Sequence, residues 1–251
     1  MRRTEEIAIV IPCLNEERAI GLLVREVRAY VSQVIVIDDG SSDNTATEAE
    51  SAGATVIRHD SPQGKGASLR DGFEAARQQG FCWALAMDGD GQHAPEDIPK
   101  FLRAIEESPA EMWIGNRMGN AGAMPRVRRF VNHWMSRRIS SYCRIEIPDS
   151  QCGFRMVNLH AWNRLPFSAD HFEIESEMIV RFLHIGHAVG FVPVQTRYAS
   201  VCSKIRPLRD ALRWFRWWFA IRNELSPGAS PNASLLAVEP EYESTPQDAT
   251  A

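Results

Sequence analysis

The chain contains no apolar run near the ~20 residues that a membrane span requires. It has no C-x-x-C pair: its five cysteines, Cys13, Cys82, Cys143, Cys152 and Cys202, are odd in number and scattered. A disulfide framework and a zinc site are therefore disfavoured, and free thiols in a reducing cytoplasm are expected. There is no G-x-G-x-x-G, which excludes the dinucleotide fingerprint. The stretch SPQGKGASL (Ser61–Leu69) invites comparison with a phosphate loop, but a Walker motif needs glycine at position 59, where His59 stands. No A-x-A-like cleavage site follows the N-terminal MRRTEEIAIVIP, so its apolar part reads as a first strand and not as a secretion signal. An excess of basic charge is also missing, with 28 Lys and Arg against 32 Asp and Glu, and no nucleic-acid partner is expected. After Arg222 basic residues stop altogether, while Glu224, Glu239, Glu241, Glu243 and Asp248 follow. Residues 226–251, rich in Pro, Ser, Ala and Thr and without apolar periodicity, read as a disordered acidic tail.

What remains is an alternation. Short β-branched runs at Ile7–Ile11, Val34–Ile37, Thr55–Ile57, Cys82–Met87 and Met112–Ile114 alternate with helical patterns at Glu16–Val31, Asn44–Ala52, Gly66–Gln79 and Pro95–Glu107. Ile20, Leu23, Val24 and Val27 recur at helical spacing in the first of these helices, as do Ile98, Phe101, Leu102 and Ile105 in the last. Such βαβα order predicts an α/β fold with an open, mostly parallel sheet flanked by helices. In such sheets ligands bind beyond the carboxyl ends of the strands. Those ends are polar here: PCLNE (Pro12–Glu16), DDGSSDNT (Asp38–Thr45), DGDGQ (Asp88–Gln92) and GNR (Gly115–Arg117). One such cluster is a turn; four on a common edge suggest a site.

In DGDG, alternate residues at a strand end can aim two carboxylates at one point, and the glycines let the backbone bend. Hard cations such as Mg²⁺ and Mn²⁺ take carboxylate oxygens and share their remaining positions with substrate phosphates. Asp88, Asp90 and Gln92 could hold such a cation. An isolated D-x-D is also compatible with an ordinary Asp-Gly turn or a proton-transfer pair. The aspartyl-phosphate type of phosphatase is disfavoured, because its D-x-D closes the first strand and this one closes the fourth. In DDGSSDNT a carboxylate could bond a base or ribose, while Ser42 or Asp43 could cap the helix that follows. Gly64 and Gly66 form a flexible lead into a helix whose N–H groups could face an anion. His93 reads as a loop residue and not as a ligand.

Taken together, IVIPCLNEE, VIVIDDGSSDNT, GKGASLRDGF, ALAMDGDGQHAPEDIP and GNRM, in that order and spacing, resemble an inverting glycosyltransferase of family 2 with the GT-A fold. The likeness is to the polyprenyl-phosphate sugar transferases of the dolichol-phosphate mannose synthase type, and it covers roughly residues 7–205. The resemblance implies a hexosyltransferase whose donor substrate is a nucleotide diphosphosugar, GDP- or UDP-linked, and whose cofactor is Mg²⁺ or Mn²⁺. By matching position, Pro12, Leu14 and Glu16 would border the base and ribose, with Ile37 and Asp39 beside them. Asp88, Gly89, Asp90 and Gln92 would form the donor loop, with Asp88, Asp90 and Gln92 as the metal ligands. Arg117 would face the phosphates or the acceptor. A lipid-phosphate acceptor is already an anion and calls for cations and not for a base.

The second half of the chain supplies cations. MPRVRRFVNHWMSRR (Met124–Arg138) carries Arg128 and Asn132 four apart, on one face if helical; by similarity they and Arg117 would grip the acceptor phosphate. Asp149 and Arg155 lie in DSQCGFR, Asp149 to orient an acceptor or sugar hydroxyl and Arg155 to meet an anion. Arg197 and Lys204 would be diphosphate ligands from the family's late basic loop. Asp90, Arg117, Arg128 and Asp149 thus make up the expected catalytic set. For a soluble or glycan hydroxyl acceptor the base would come from Asp149, Glu173, Glu175 or Glu177; a non-catalytic nucleotide-sugar-binding protein is the third reading. The expected organisation is a GT-A domain over 1–205, an amphipathic helix over 206–225 and the tail. Trp214, Trp217 and Trp218, interleaved with Arg209, Arg213 and Arg216, suit peripheral contact at the cytoplasmic face of a membrane, docking on the core, or a dimer interface.

Overall fold

Residues 7–13 are apolar at almost every position, a pattern that suits a strand covered on both faces. In the computed structural model they form the strand β1 (Ile7–Cys13), nearly all of it buried. The structure describes residues 4–119, 124–197, 207–225 and 237–238. Around β1 lie β2 (Val34–Asp38), β3 (Thr55–Arg58), β4 (Trp83–Ala86), β5 (Met112–Asn116), β6 (Arg155–Asn158), β7 (Val189–Pro193) and the short β8 (Ala237–Val238). The sheet order is β3-β2-β1-β4-β6-β5-β7-β8. Every neighbouring pair is parallel except the two made by β6, which runs antiparallel between β4 and β5. The mostly parallel sheet expected from the sequence is therefore present.

The connecting helices are α1 (Ile20–Arg28), α2 (Thr45–Ser51), α3 (Lys65–Gln78), α4 (Ile98–Glu107), α5 (Arg126–Cys143), the single turn α6 (Leu159–Trp162), α7 (Ile174–His184) and α8 (Pro207–Glu224). Helix α1 buries Ile20, Leu23, Val24 and Val27, the stripe its periodicity announced. It begins four residues later than expected, because Glu16 to Ala19 fold into a turn in which the N–H groups of Ala19 and Ile20 both donate to the Glu16 carbonyl. Helix α3 passes close over the sheet at Gly72, where an added Cβ would strike Val10. Lacking a side chain there lets helix and strand approach.

Strand register decides where the loops emerge. Cys13 at the end of β1 stands beside Asp38 at the end of β2, and Val10 pairs with Ala86 at the end of β4. From β1 the chain moves outward one way through β2 and β3, while β4 lies on the other side. The crevice where the order reverses, beyond the carboxyl ends of β1 and β4, is the place such sheets bind ligands.

Among the described residues no helix is long and apolar enough to cross a membrane. The tryptophans of α8 face inward: Trp214 is 2% exposed, and Trp217 and Trp218 are buried with it. Trp214 packs on Trp134 of α5, its Nε1 donates to Ser176 Oγ of α7 at 2.9 Å, and Trp218 meets Tyr142 edge-on. Of membrane contact, a dimer interface and docking on the core, the last is what these rings adopt. Of the expected tail only Ala237–Val238 lies within the described residues, and it pairs with β7, which departs from a featureless segment.

Removing the Trp214 ring leaves a large void and takes one of the two hydrogen bonds that Ser176 Oγ accepts, the other coming from Gln151 Nε2. Trp214→Ala should lower stability by about 3–5 kcal/mol, read as a shift in the urea midpoint. An unchanged midpoint would show that α8 is not packed on the core in solution.

Candidate active site

The loops after β1 and β2 form one rigid lip. Asn15 takes a left-handed φ of 54°, a conformation asparagine tolerates. This turns its side-chain oxygen onto the Ser42 N–H at 2.9 Å, while its own N–H donates to Ser41 Oγ. The Glu16 N–H donates to Thr45 Oγ1 at 2.8 Å. Asp43, a cap candidate, accepts from the Thr45 N–H and from Glu17; Ser42 does not cap the helix. Pro12, Leu14, Glu16 and Ile37 are all in this lip or in the strands beneath it. Asp39, expected beside the base, turns its carboxylate onto the backbone instead: Oδ1 accepts from Gln63 N–H and Oδ2 from Gly64 N–H, both at 2.8 Å. Its Oδ1 also lies 2.8 Å from His59 Nδ1, and the far nitrogen of that ring is 3.0 Å from Asp71. Asp39 thus ties the loop that leads into α3 to the lip.

That loop delivers a residue the sequence reading passed over. Lys65, the first residue of α3, is partly buried, with its ammonium in a tight ion pair with Asp88 and 2.6 Å from Glu175 Oε1. Burial alone would lower the Lys65 pKa, but the two carboxylates outweigh it and hold it above the ordinary lysine value. Burial likewise acts to raise Asp88, and the Lys65 charge followed by His93 brings it well below the ordinary carboxylate value. His93 is 3% exposed, with Nε2 3.3 Å from Asp88 Oδ2 and its ring against Phe154. It is a wall of the site more than a surface loop residue. Gly153 closes the same corner: a Cβ there would come within 2.7 Å of both Asp88 Oδ1 and Lys65 Nζ. The other half of D-x-D is shaped locally, Asp90 Oδ1 accepting from the Gln92 N–H at 3.0 Å. Gly89 has no room for a side chain against Cys13.

The arginine side of the site is organised by Asp149. This carboxylate is fully buried. It accepts from Arg117 Nε at 2.8 Å and Nη2 at 2.9 Å, from the Arg117 N–H, from Asn132 Nδ2 at 2.8 Å and from the Gln151 N–H. Burial pushes its pKa up; the Arg117 charge and these hydrogen bonds outweigh that and leave it below 3.8. Asn132 faces inward, its oxygen accepting from Ser136, whereas Arg128 one turn earlier reaches the D-x-D loop, with Nη1 3.4 Å from Gln92 Oε1.

Two expected anion ligands are differently employed. All three nitrogens of Arg155 donate to carbonyls, those of Cys152, Glu175 and Ser150, so it braces the loop before β6. Arg197 turns its guanidinium to Glu26 and Glu96, and only its backbone N–H touches the site, donating to the Gln92 carbonyl at 2.8 Å. Lys204 lies outside the described residues. Of the base candidates, Glu175 is paired with Lys65, and Glu177 is buried among Arg181, Ser168 and Ala169. Glu173 precedes α7 without capping it.

The family model for glycosyl transferase family 2 matches residues 8–164, which takes in β1 to β6 and every strand-end loop described above. The chain belongs to this family. It is 28% identical to the polyprenol monophosphomannose synthase of Mycolicibacterium smegmatis over 77% of this chain and 78% of the relative. To the UDP-N-acetylglucosamine–dolichyl-phosphate N-acetylglucosaminyltransferase of Methanococcus voltae it is 29% identical, over 77% of this chain and 86% of the relative. Among solved structures, glucosyl-3-phosphoglycerate synthase of Mycobacterium tuberculosis with Mg²⁺ and uridine diphosphate superposes with a TM-score of 0.66. It is 19% identical and covers 88% of this chain and 79% of that one. That likeness shows the shared GT-A fold.

Among the described residues no three carboxylate, imidazole or thiolate side chains cluster as a protein-only metal cage. The donor set still fits a hard cation. Two carboxylates and an amide oxygen end one strand, Asp88 remains 30% open to solvent, and Mg²⁺ sites of this kind take their other positions from substrate phosphates and water. The signal that could have found Lys65 is the GKG triplet, a lone cation between two glycines at a helix start.

Asp149 is ion-paired with the buried Arg117, and Asp149→Asn should destabilise the protein by about 3–5 kcal/mol at neutral pH. Because the folded pKa is depressed, the stability it contributes is present above 3.8 and lost as pH falls through the folded value. Urea midpoints of the wild type should therefore drop below that pH, and those of the variant should drop less. Parallel acid profiles would remove Asp149 as the source.

Proposed function

We propose that this family 2 enzyme moves a hexose from a nucleotide diphosphosugar to a polyprenyl phosphate, inverting the anomeric carbon. The observation that carries this is the saturation of Asp149: it is buried, ion-paired and bonded to five hydrogens. A carboxylate so held below its ordinary pKa is a poor acceptor for a hydroxyl proton. The rival base Glu175 is tied to Lys65. A site short of bases and lined by Arg117 and Arg128 suits an acceptor that already carries negative charge. The two relatives named for polyprenyl-type lipid phosphates support the same acceptor class.

In this reading the lip formed by Pro12, Leu14, Glu16 and Ile37, braced from below by Asp39, borders the base and ribose. A divalent cation held by Asp88, Asp90 and Gln92 would neutralise the charge developing on the leaving diphosphate. Lys65 adds a fixed positive charge at the same loop. Arg128, resting on Gln92, and Arg117, oriented by Asp149, draw the acceptor phosphate towards the opposite face of the sugar. A phosphate oxygen then gives an electron pair to the anomeric carbon while the bond to the diphosphate oxygen breaks. The nucleoside diphosphate leaves with that bonding pair, and no proton has to move.

The test is a screen of UDP- and GDP-sugars scored for nucleotide release with and without polyprenyl phosphate. Release that requires the lipid phosphate supports the proposal; release sustained by a glycan hydroxyl, with the lipid inert, overturns it. Asp90→Asn should lower turnover about a hundredfold or more with the unfolding midpoint retained, and EDTA should abolish wild-type turnover until Mg²⁺ or Mn²⁺ is restored. Full activity in EDTA would remove the metal from the reading. Arg128→Ala should raise the KM for lipid phosphate at least tenfold while the nucleotide Kd, from calorimetry, stays within about twofold. Equal losses in both would assign Arg128 to the donor side.

A further inference from the structure

Burial of the α8 tryptophans leaves that helix with a second apolar face. Six of the eight large apolar side chains exposed among the described residues are on α5 and α8: Val127, Phe130 and Val131, and Leu212, Phe215 and Phe219. On α5 the positions 127, 130, 131 and 134 follow helical spacing, and on α8 so do 212, 215 and 219. The two stripes meet where the rings of Trp134 and Phe215 pack, 5.3 Å apart. Val127 and Phe130 are more than 70% exposed, far from the pattern of a surface helix that keeps its apolar side on the core.

The charge around this face is one-sided. Helices α5 and α8 together carry nine arginines, Asp210 and Glu224, in a chain whose net charge is −4. Glu224 is engaged by Arg181 of α7. Arg126, Arg137 and Arg216 are exposed beside the apolar stripes, with Arg129 exposed further round α5, and Arg138 lies over the Trp134 ring. Exposed phenylalanines rimmed by arginines match the surface of an anionic bilayer, which offers apolar depth below a layer of negative headgroups. A second copy of this chain would bring like charge against like charge.

We infer that the joined α5–α8 face is a membrane-docking surface for anionic lipid, with the tryptophans as its internal support. Its contacts are Phe130, Phe215 and Phe219, and the exposed arginines meet the headgroups. The inference deepens the proposed lipid-phosphate acceptor in one respect. The helix that carries Val127 and Phe130 also carries Arg128 onto Gln92 of the donor loop, so docking α5 would hold a lipid headgroup at the depth of the site.

Binding is tested with the full chain and vesicles that contain neither polyprenyl phosphate nor nucleotide, so the result does not depend on the transfer reaction. Co-sedimentation should detect binding to phosphatidylglycerol–phosphatidylcholine vesicles at low salt, with weaker binding to phosphatidylcholine alone and loss at high salt. Phe130→Ser with Phe219→Ser, both at exposed positions, should reduce partitioning at least tenfold with an unchanged unfolding midpoint. Arg126→Gln with Arg137→Gln should reduce it about tenfold on anionic vesicles only. Leu22→Ser, an exposed apolar position on α1, should leave binding unchanged. Absence of binding at low salt, equal loss in the Leu22 variant, or self-association in sedimentation velocity that the phenylalanine pair abolishes would each overturn the inference. A protein that binds these vesicles yet transfers no sugar to lipid phosphate keeps the surface and loses the proposed acceptor.

Discussion

The buried carboxylate of Asp149 sets the geometry of the arginine side of this enzyme. A charge removed from water is tolerated only when it is paired and its oxygens are bonded, and here both conditions are met by groups from three separate segments. Arg117 comes from the end of β5, Asn132 from α5, and Gln151 from the loop that leads into β6. Because the desolvation of Asp149 is offset only while all three are in place, the position of α5 against the sheet is coupled to the orientation of Arg117. The same α5 places Arg128 on the D-x-D loop. A single buried anion therefore orders two cations at the edge of the sheet.

A second ionic cluster sits across the crevice. Lys65, Asp88 and Glu175 come from α3, the end of β4 and α7, and His93 lies beside them. One ammonium between two carboxylates leaves this cluster with net negative charge, which favours a further cation at the open side of Asp88. Gly153 lets the cluster close, since any side chain at that position would meet Asp88 and Lys65. The lip after β1 and β2 is held by hydrogen bonds between loops, through Asn15, Thr45 and Asp39. Rigid hydrogen-bonded walls beside a charged floor are the arrangement in which fixed charges act without reorganising.

The C-terminal helix shows how one segment can serve two surfaces. Its tryptophans fill the groove between α5 and α7, and this contributes to holding α5. Its phenylalanines remain outside, continuous with those of α5. Packing and exposure are divided around the helix circumference: 214, 217, 218 and 221 face inward, and 212, 215, 216 and 219 face outward.

The α/β class, the parallel core strands and the clustering of polar groups at one sheet edge are legible in the residue order alone, since these follow from local periodicity and from what a strand interior excludes. The sequence also identified the D-x-D loop and the family, because those residues are contiguous in the chain. It reached neither Lys65 nor the antiparallel β6, a four-residue strand whose type depends on its neighbours. An isolated arginine carries no sign of its partner. Arg117 meets a carboxylate, Arg155 three carbonyls, Arg197 two glutamates and Arg128 a glutamine of the D-x-D loop, and nothing local distinguishes the four. The same holds for Asp39, which bonds backbone N–H groups many residues away, and for the choice between the two apolar faces of α8. These outcomes depend on contacts between segments distant in the chain. Only tertiary packing decided them, because the pairing or burial of a charged or aromatic side chain is settled by whatever the fold brings against it.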